Sequence, residues 1–321
     1  MNSDFIKEAE LLKRYELTSG PESMIPALKR VAKSCAENPA LEEWAVKQAE
    51  ALFEGEKGIN IESWPIPEKT LGDDVGAFNM AVALASVPLV AETHRQYGMD
   101  ESQLAKTFSW FKPMIALYAK RHGVPGITHT RTFWFRNHVD GKLWRFGNME
   151  FLRGPVPSFL PEEFKASLAE DDEVPTFHFP GGEDGLNVEK IKSAFREAVA
   201  FWKRAFGRYP KAFACDSWLF NPAWQELIPD SRIAHSIDIF ERLPSLPYNP
   251  EEPSGLFFVY DKERCDPRDY PAVNSLEKAF VTLYERGEKP VDGCAYVKVD
   301  ESGEVLFNDA TGANYTLIPL F

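Results

Sequence analysis

The sequence predicts an α+β protein, with a helical N-terminal domain followed by a mixed α/β C-terminal domain. Two observations support this prediction. Apolar residues recur at helical spacing through about the first 125 residues, and runs rich in Thr, Phe and Trp replace that pattern afterwards. We therefore expect domains at 1–125 and 126–321, with a boundary that could lie as late as about residue 155.

The N-terminal half reads as a series of helices. The stretch AFNMAVALASVPLVAETHRQYG is apolar nearly all round, which predicts a central, buried helix with a kink at Pro88. The following segment has a capping residue at Asp100 and ends at Gly123, a glycine suited to the left-handed conformation that terminates helices.

The C-terminal half centres on a strand–helix–strand unit over residues 176–220. An amphipathic helix should begin after the cap Asn187 and end at Gly207, burying Ile191, Phe195 and Trp202. NSLEKAFVTLYERG is predicted as a second helix. Further strands are predicted within residues 131–152 as a hairpin turning at Asp140-Gly141, at GLFFVYD, at CAYVKVDESGEVLFND with its turn at 301–303, and at YTLIPLF.

Composition narrows the function classes. The formal net charge of -13 disfavours a surface for nucleic acid or anionic membrane, since phosphate binding needs a basic field. The four cysteines are far apart and the histidines show no ligand spacing, so we expect neither a disulfide scaffold nor a metal. The N-terminus has no signal-like apolar region, and we expect no membrane span and a cytoplasmic protein.

The strand–helix–strand unit also carries the candidate catalytic residues. If its strands are parallel neighbours, His178 and the Cys215-Asp216-Ser217 run lie at the same carboxyl edge of the sheet. We expect His178, Cys215 and Ser217 to line one cleft, with His178 as general base. The alternative is that His178 bonds a loop carbonyl while Cys215 fills space in the core.

Other polar or aromatic residues are candidates for substrate binding: Glu150, Arg145, Asp216 and Trp218. Glu150 interrupts an apolar strand, so it lies either on a solvated face or in a cleft where an arginine holds it. PGGEDG, before Asn187, is either an anion-binding loop at a helix N-terminus or a simple turn. Its two acidic residues argue against phosphate.

Several segments resemble a bacterial N-acyltransferase family with a helical N-acyltransferase N-terminal domain and a GNAT-like C-terminal domain. The resemblance covers most of the chain and is most specific in HFPGG and CDSWLFNP, with the continuation PDSRIAHSIDIF. The matching positions are His178, Pro180, Gly182, Cys215, Ser217, Trp218 and Leu219. The chain lacks the Arg/Gln-x-x-Gly-x-Gly/Ala loop that usual GNAT enzymes wrap around the pyrophosphate.

The resemblance implies a GNAT-like fold and acyl-CoA as the donor for an amine acceptor, attacked directly. His178 would then deprotonate the amine and Ser217 would donate to the thioester oxyanion, with an acyl-Cys215 intermediate as a lesser option. Two other hypotheses stay open: a Cys/His or Ser/His hydrolase using the same cleft, and a binding protein without chemistry, which the missing loop favours.

Overall fold

The computed structural model describes residues 6–54, 71–127, 132–180, 186–249, 255–260 and 265–308. The chain divides into two compact units, Met1–Arg145 and Phe146–Phe321, and the division falls within the first strand. The first unit is helical and the second contains most of a mixed sheet, which confirms the predicted α+β class.

The helices and strands of the described residues are numbered here in chain order. The α-helices are α1 Glu8–Tyr15, α2 Ile25–Glu37, α3 Pro39–Glu54, α4 Val75–Ala85, α5 Val87–Gln96, α6 Glu101–Phe108, α7 Phe111–His122, α8 Thr132–Val139, α9 Glu162–Ala166, α10 Val188–Phe206, α11 Ala223–Leu227, α12 Arg232–Ile237, α13 Leu256–Tyr260 and α14 Ser275–Glu285. The strands are β1 Leu143–Phe146, β2 Met149–Leu152, β3 Thr176–His178, β4 Ala212–Ser217, β5 Glu241–Leu243 and β6 Gly293–Lys298.

The central helix of the first unit is α4, in which every residue from Gly76 to Ala85 is buried, as the uniform apolar pattern predicts. The apolar stretch breaks at Ser86, and Pro88 lies in the first turn of α5, where its missing N–H removes no helical bond. At α6 the Asp100 carboxylate accepts from the Gln103 amide, and Gly123 ends α7 with φ +72°. These predicted boundaries are confirmed.

One segment of the first unit, Gly72–Gln96, is long and apolar enough to cross a membrane by length and composition alone. This differs from the expectation that no segment is long and apolar enough to span a membrane. Of its most apolar window, 72% is buried inside the protein, and core helices of soluble proteins pass the same test.

The predicted hairpin turning at Asp140-Gly141 is wrong. Residues Thr132–Val139 form α8, because Phe135, His138 and Val139 at helical spacing are buried, and this burial overrides the strand preference of Thr and aromatic side chains. The Asp140 amide continues the helical bonding to the Arg136 carbonyl at 3.0 Å. The hairpin lies further along, between β1 and β2, and turns at Gly147 with φ +52°.

The described residues form a six-stranded sheet in the order β1-β2-β3-β4-β6-β5. The β3–β4 pair is parallel, joined by the crossover helix α10, whereas β2–β3, β4–β6 and β5–β6 are antiparallel. The predicted strand–helix–strand unit is thus confirmed, with Asn187 capping α10 and Gly207 ending it at φ +76°.

Helix α10 covers one face of this sheet with the predicted apolar stripe. Ile191, Phe195 and Trp202 are fully buried. The ring of Phe195 makes edge contacts with Phe151 and Phe177, each at 5.0 Å between centroids. The Phe195 ring therefore contacts side chains of two neighbouring strands, β2 and β3.

Two predicted strands of the C-terminal half differ in the structure. GLFFVYD contains the short helix α13 rather than a strand, since Gly255 takes φ +82° and its carbonyl accepts from Phe258 and Val259 in a helical turn. The turn at 301–303 is present, but its hairpin beyond β6 is reduced to one bridge between Val299 and Val305. YTLIPLF lies outside the described residues.

Candidate active site

The candidate site lies at the carboxyl end of the parallel β3–β4 pair. Thr176 is the register partner of Ala214, so His178, two residues further along, is level with Asp216. Both strands end here, β3 at His178 and β4 at Ser217. The predicted common edge is therefore present.

Register determines which side chains share a face of the sheet. In-register partners on neighbouring strands point the same way, and successive residues alternate. The pairs Glu150–His178 and Thr176–Ala214 thus assign Glu150, Thr176, His178 and Asp216 to one face, which we call the polar face. The opposite face, which α10 covers, is the core face.

Cys215 and Ser217 lie on the core face, so the prediction that His178, Cys215 and Ser217 line one cleft is wrong. Alternation along β4 puts Cys215 on the side of Phe213, whose ring packs against Phe195 of α10 at 5.2 Å. The sheet itself separates these residues from His178. A Cys/His or Ser/His dyad using His178 is incompatible with this arrangement.

The surroundings of Cys215 also disfavour a thiolate. Cys215 is 1% exposed, and burial raises the pKa of its thiol well above the ordinary value, with the charge of Asp216 adding to the effect. A nucleophilic cysteine needs the opposite shift. Cys215 is therefore a small core residue, which was the alternative interpretation of its position.

Ser217 ends β4 and caps the short 3₁₀ turn Trp218–Phe220, where its Oγ accepts from the Leu219 amide at 3.3 Å. Its hydroxyl is thus engaged in shaping the end of the strand. The role of oxyanion donor, expected from the resemblance, stays a prediction that this position does not favour.

On the polar face, His178 lies on β3, between strands β2 and β4 of the sheet. Thr176 Oγ1 and His178 Nε2 are 3.0 Å apart, a hydrogen-bond distance. Glu150 is the direct antiparallel partner of His178 and is only 1% exposed, so the solvated position considered for it is wrong. His178 itself is half-buried and therefore accessible to a substrate.

Asp216 completes the polar face from β4. It is exposed to solvent, yet the protein around it desolvates the carboxyl enough to raise its pKa above the ordinary value, while its own backbone N–H opposes the shift. A carboxylate in this position attracts cationic groups, because its charge is poorly solvated and near the surface.

The polar face becomes apolar toward the amino ends of β3 and β4. Ala212, Ala214 and Tyr296 pack there in one hydrophobic cluster with Leu160 and Val174. The last two residues belong to the segment that precedes β3. His178 and Asp216 thus lie at the carboxyl ends of β3 and β4, next to this apolar cluster, where electrostatic interactions are stronger than in water.

Two residues on this face, Thr176 and Tyr296, are not among the predicted site residues. Thr176 could have been found, since it is two residues before His178 and alternation puts it on the same face. Tyr296 could not, because only the register partner Ala214 brings β6 to this position. Burial, with a hydrogen bond to Glu241, raises the pKa of the Tyr296 phenol.

The remaining predicted site residues lie elsewhere in the described structure. Arg145 belongs to the first unit, where its Nη1 donates to Ser109 Oγ at 3.1 Å. Trp218 follows β4 directly and stacks on Phe258 with 6.0 Å between ring centroids. The glycine-rich loop at 181–185 lies outside the described residues, and the described part of the chain holds no cluster of three or more potential metal ligands.

Four chains of solved structures resemble this chain, and all four are acyltransferases. One, a mutant acyltransferase in complex with octanoyl-CoA, is 21% identical, with a TM-score of 0.72 over 91% of this chain and 87% of that one. Another, in complex with decanoyl-CoA and teicoplanin, is 22% identical, with a TM-score of 0.72 over 90% and 87%. These likenesses establish the fold. No protein of curated function matches the sequence significantly.

Family relationships identify both halves of the chain. Residues 9–141 match the N-acyltransferase N-terminal domain, and residues 143–297 match the GNAT-like C-terminal domain. The two matches follow one another along most of the sequence and agree with the helical and mixed α/β units described above. The chain therefore belongs to the N-acyltransferase family in which an N-acyltransferase N-terminal domain precedes a GNAT-like C-terminal domain.

Proposed function

We propose that the protein is an acyl-CoA-dependent N-acyltransferase that acylates a small-molecule amine by direct attack. The observation that carries this proposal is the polar face: a half-buried His178 between Glu150 and Asp216, at the carboxyl end of a parallel strand pair. Family membership gives the reaction class.

The chemistry requires a base near neutral pKa, which histidine supplies. His178 takes one proton from the acceptor ammonium ion, so that the neutral amine nitrogen can attack the thioester carbonyl. The carbon–sulfur bond then breaks, the nitrogen loses its second proton, and that proton leaves with CoA as the thiol. No covalent acyl-enzyme is formed, which agrees with the burial of Cys215 on the core face.

Asp216 is the proposed site for the acceptor before deprotonation. An aliphatic amine is an ammonium ion at neutral pH, and an exposed carboxylate next to His178 attracts it and holds it near the base. Trp218, two residues after Asp216, is proposed to contact substrate, as is Arg145; for both the role stays the expectation drawn from the sequence.

Acyl-CoA is the proposed donor. Structural relatives contain octanoyl-CoA or decanoyl-CoA, and one contains teicoplanin together with the acyl donor, which supports a medium-chain acyl group and a small-molecule acceptor here too. We retain the cytoplasmic location expected from the sequence, since acyl-CoA is an intracellular metabolite.

The test combines binding and turnover. A thermal-shift screen of free CoA and acyl-CoAs should identify the donor, since a ligand at 100 times its Kd stabilises by about 2.7 kcal/mol. With that donor and a panel of amines, we expect release of CoA thiol together with an acylated amine detected by mass spectrometry.

The variant His178→Gln should lower kcat by roughly 10²–10⁴-fold without changing the melting temperature appreciably. The loss should shrink at high pH, where the acceptor amine is already deprotonated. Full turnover in His178→Gln would contradict the assignment of the base. Thiol release without an acylated amine would indicate a hydrolase, and CoA binding without any turnover would indicate a binding protein.

A further inference from the structure

We propose that the rings of Trp218 and Phe258, here called the aromatic wall, bind the acceptor, and that the acceptor is a primary amine with a planar aromatic body. This inference rests on the proposed function, because it names the acceptor class of the same site. Binding of an aromatic amine can nevertheless be measured without turnover. The sequence singled out Trp218 as a substrate contact, but neither Phe258 nor the class of acceptor.

The aromatic wall begins where the strands of the candidate site end. Trp218 is two residues after Asp216, so their Cα atoms are at most about 7 Å apart. Phe179, directly after His178, packs against the same hydrophobic cluster as Trp218. An acceptor with its ammonium group at Asp216 is therefore close enough for its apolar part to contact Trp218.

Trp218 is held in place from behind. Its carbonyl accepts from the Asn221 amide at 3.1 Å and from Trp224 Nε1 at 2.7 Å. The centroid of its ring is 6.4 Å from that of Phe280, which is fully buried. A side chain restrained in this way has little conformational entropy left to lose when a ligand binds, as a preformed binding surface requires.

Phe258 belongs to a short helix, α13, that is anchored at both ends. Gly255, with φ +82°, packs so closely before the helix that a Cβ atom there would lie 2.9 Å from the Trp218 ring. At the other end, Tyr260 Oη donates to the Glu277 carbonyl of α14 at 3.2 Å. Between these anchors the Phe258 ring is 61% exposed. The helix thus holds an aromatic ring at the surface, and core packing does not account for it.

The shape of the aromatic wall favours a planar partner. Its two rings are nearly parallel, with 17° between their planes and 6.0 Å between their centroids. Aromatic rings attract other rings in stacked or edge-to-face arrangements, and ring faces also attract ammonium groups. Asp216 supplies an exposed negative charge nearby. The carboxylate and the rings together match an ammonium group attached to an aromatic body.

The acyl chain of the donor is the other apolar group of the reaction, but it fits the aromatic wall less well. A flexible chain gains most from a cleft that buries most of its surface, whereas Phe258 is largely exposed. A rigid ring loses fewer rotatable bonds when it binds to such an open surface. The aromatic wall therefore suits the acceptor, and the KM values of the two substrates distinguish the two assignments.

Equilibrium binding is the first test. The amines 2-phenylethylamine and 2-cyclohexylethylamine share the ammonium group and the spacer, and only the first has a planar ring. By ligand-observed NMR on the full chain, 2-phenylethylamine should bind about three- to tenfold more tightly, which is the size of one aromatic contact. Phe258→Ala should abolish this preference, because it removes the exposed half of the aromatic wall.

Three further variants separate the contributions. Phe258→Leu keeps an apolar side chain without the flat ring, so it should also lose the preference. Asp216→Asn should weaken binding of both amines equally, since both carry the same charge. Val273→Ala truncates another exposed apolar side chain of the same unit and is the matched control; it should leave both dissociation constants unchanged.

Kinetics provide the second readout. With an acyl-CoA donor, Phe258→Ala should lower kcat/KM for 2-phenylethylamine about three- to tenfold. The kcat/KM for propylamine, which has no ring, and the KM for acyl-CoA should stay unchanged. Because Phe258 is exposed, the melting temperature of the variant should match that of the parent protein.

Undetectable binding of 2-phenylethylamine, or equal dissociation constants for the two ring-bearing amines, overturns the proposal. A preference that survives in Phe258→Ala overturns it as well, and a raised KM for acyl-CoA in that variant assigns the aromatic wall to the donor instead. If Phe258→Ala abolishes the binding preference while no amine is acylated under any condition, the aromatic wall stands and the proposed function fails. If amines are acylated without regard to their rings or to Phe258, the proposed function stands and the aromatic wall fails.

Discussion

The two faces of the C-terminal sheet differ sharply although they share the same strands. The core face carries Phe151, Phe177 and Phe213, all within ring-contact distance of Phe195. The polar face carries Glu150 and His178 one residue away along the same strands. Adjacent residues of one strand therefore serve different purposes, one in the core and the next in the proposed site. A substitution on one face need not disturb the other.

The largest expected effect is on the core face. Phe195→Ala should lower the free energy of unfolding by about 3–5 kcal/mol, since it removes a fully buried ring and leaves a cavity among three strands. Chemical denaturation measures the change. Phe258→Ala is the control, because that ring is 61% exposed. Similar denaturant midpoints for the two variants would show that Phe195 does not hold the core face.

The second prediction concerns a histidine that is fully buried, whereas His178 is half-buried. His94 in the first unit is 1% exposed, and burial lowers its pKa to about 4, with the Leu143 carbonyl opposing more weakly. As pH falls, the imidazole binds a proton at a higher pH in the unfolded chain than in the folded protein. The free energy of unfolding is therefore at its full value above about pH 6.5 and should fall by roughly 3 kcal/mol toward pH 4. Melting temperatures measured from pH 8 to 4 check this.

His94→Gln should flatten that acid limb. Asp140 acts in the opposite direction: burial raises the pKa of its carboxyl to about 6, so it adds stability as pH falls from about 6 toward 4. Asp140→Asn should therefore steepen the acid limb. A His94→Gln variant with the acid sensitivity of the parent protein would contradict the assignment to His94.

The third prediction is a moderate effect on the polar face. Asp216→Asn should raise the KM for the amine acceptor about tenfold, equivalent to about 1.4 kcal/mol, because it removes the charge proposed to attract the ammonium ion. The KM for acyl-CoA and the unfolding free energy should change little, as Asp216 is exposed. The effect should weaken at high salt, which screens exposed charges; a salt-independent loss would argue against this role.

The smallest effect is expected at Cys215, on the core face next to the proposed site. Cys215→Ala should keep turnover within about twofold of the parent protein, since direct attack needs no thiol. Steady-state rates with matched melting temperatures measure this. Loss of turnover in a folded Cys215→Ala variant would show that a residue of the core face takes part in catalysis, and would contradict the separation of the two faces.

Much of the fold follows from local sequence. The stripe Ile191, Phe195 and Trp202 predicts α10 and its buried side, and Asn187 and Gly207 mark its ends, because spacing and end-capping are properties of neighbouring residues. The segments at 132–139 and 256–260 were predicted as strands but are helical. There, aromatic and β-branched residues favour strands locally, and the packing around each segment decides otherwise.

The sequence by itself determined the two-part organisation, the parallel unit around α10, and the alternation that separates Phe177 from His178 and Cys215 from Asp216. Only the tertiary structure decided which of these alternating sets belong together. Alternation is local to a strand, whereas register depends on how two distant segments pair, and a shift of one residue exchanges the faces. The pairing of Thr176 with Ala214 therefore groups His178 with Asp216 and Glu150, and leaves Cys215 and Ser217 on the other face, because burying Phe213 and Cys215 beneath α10 fixes that register.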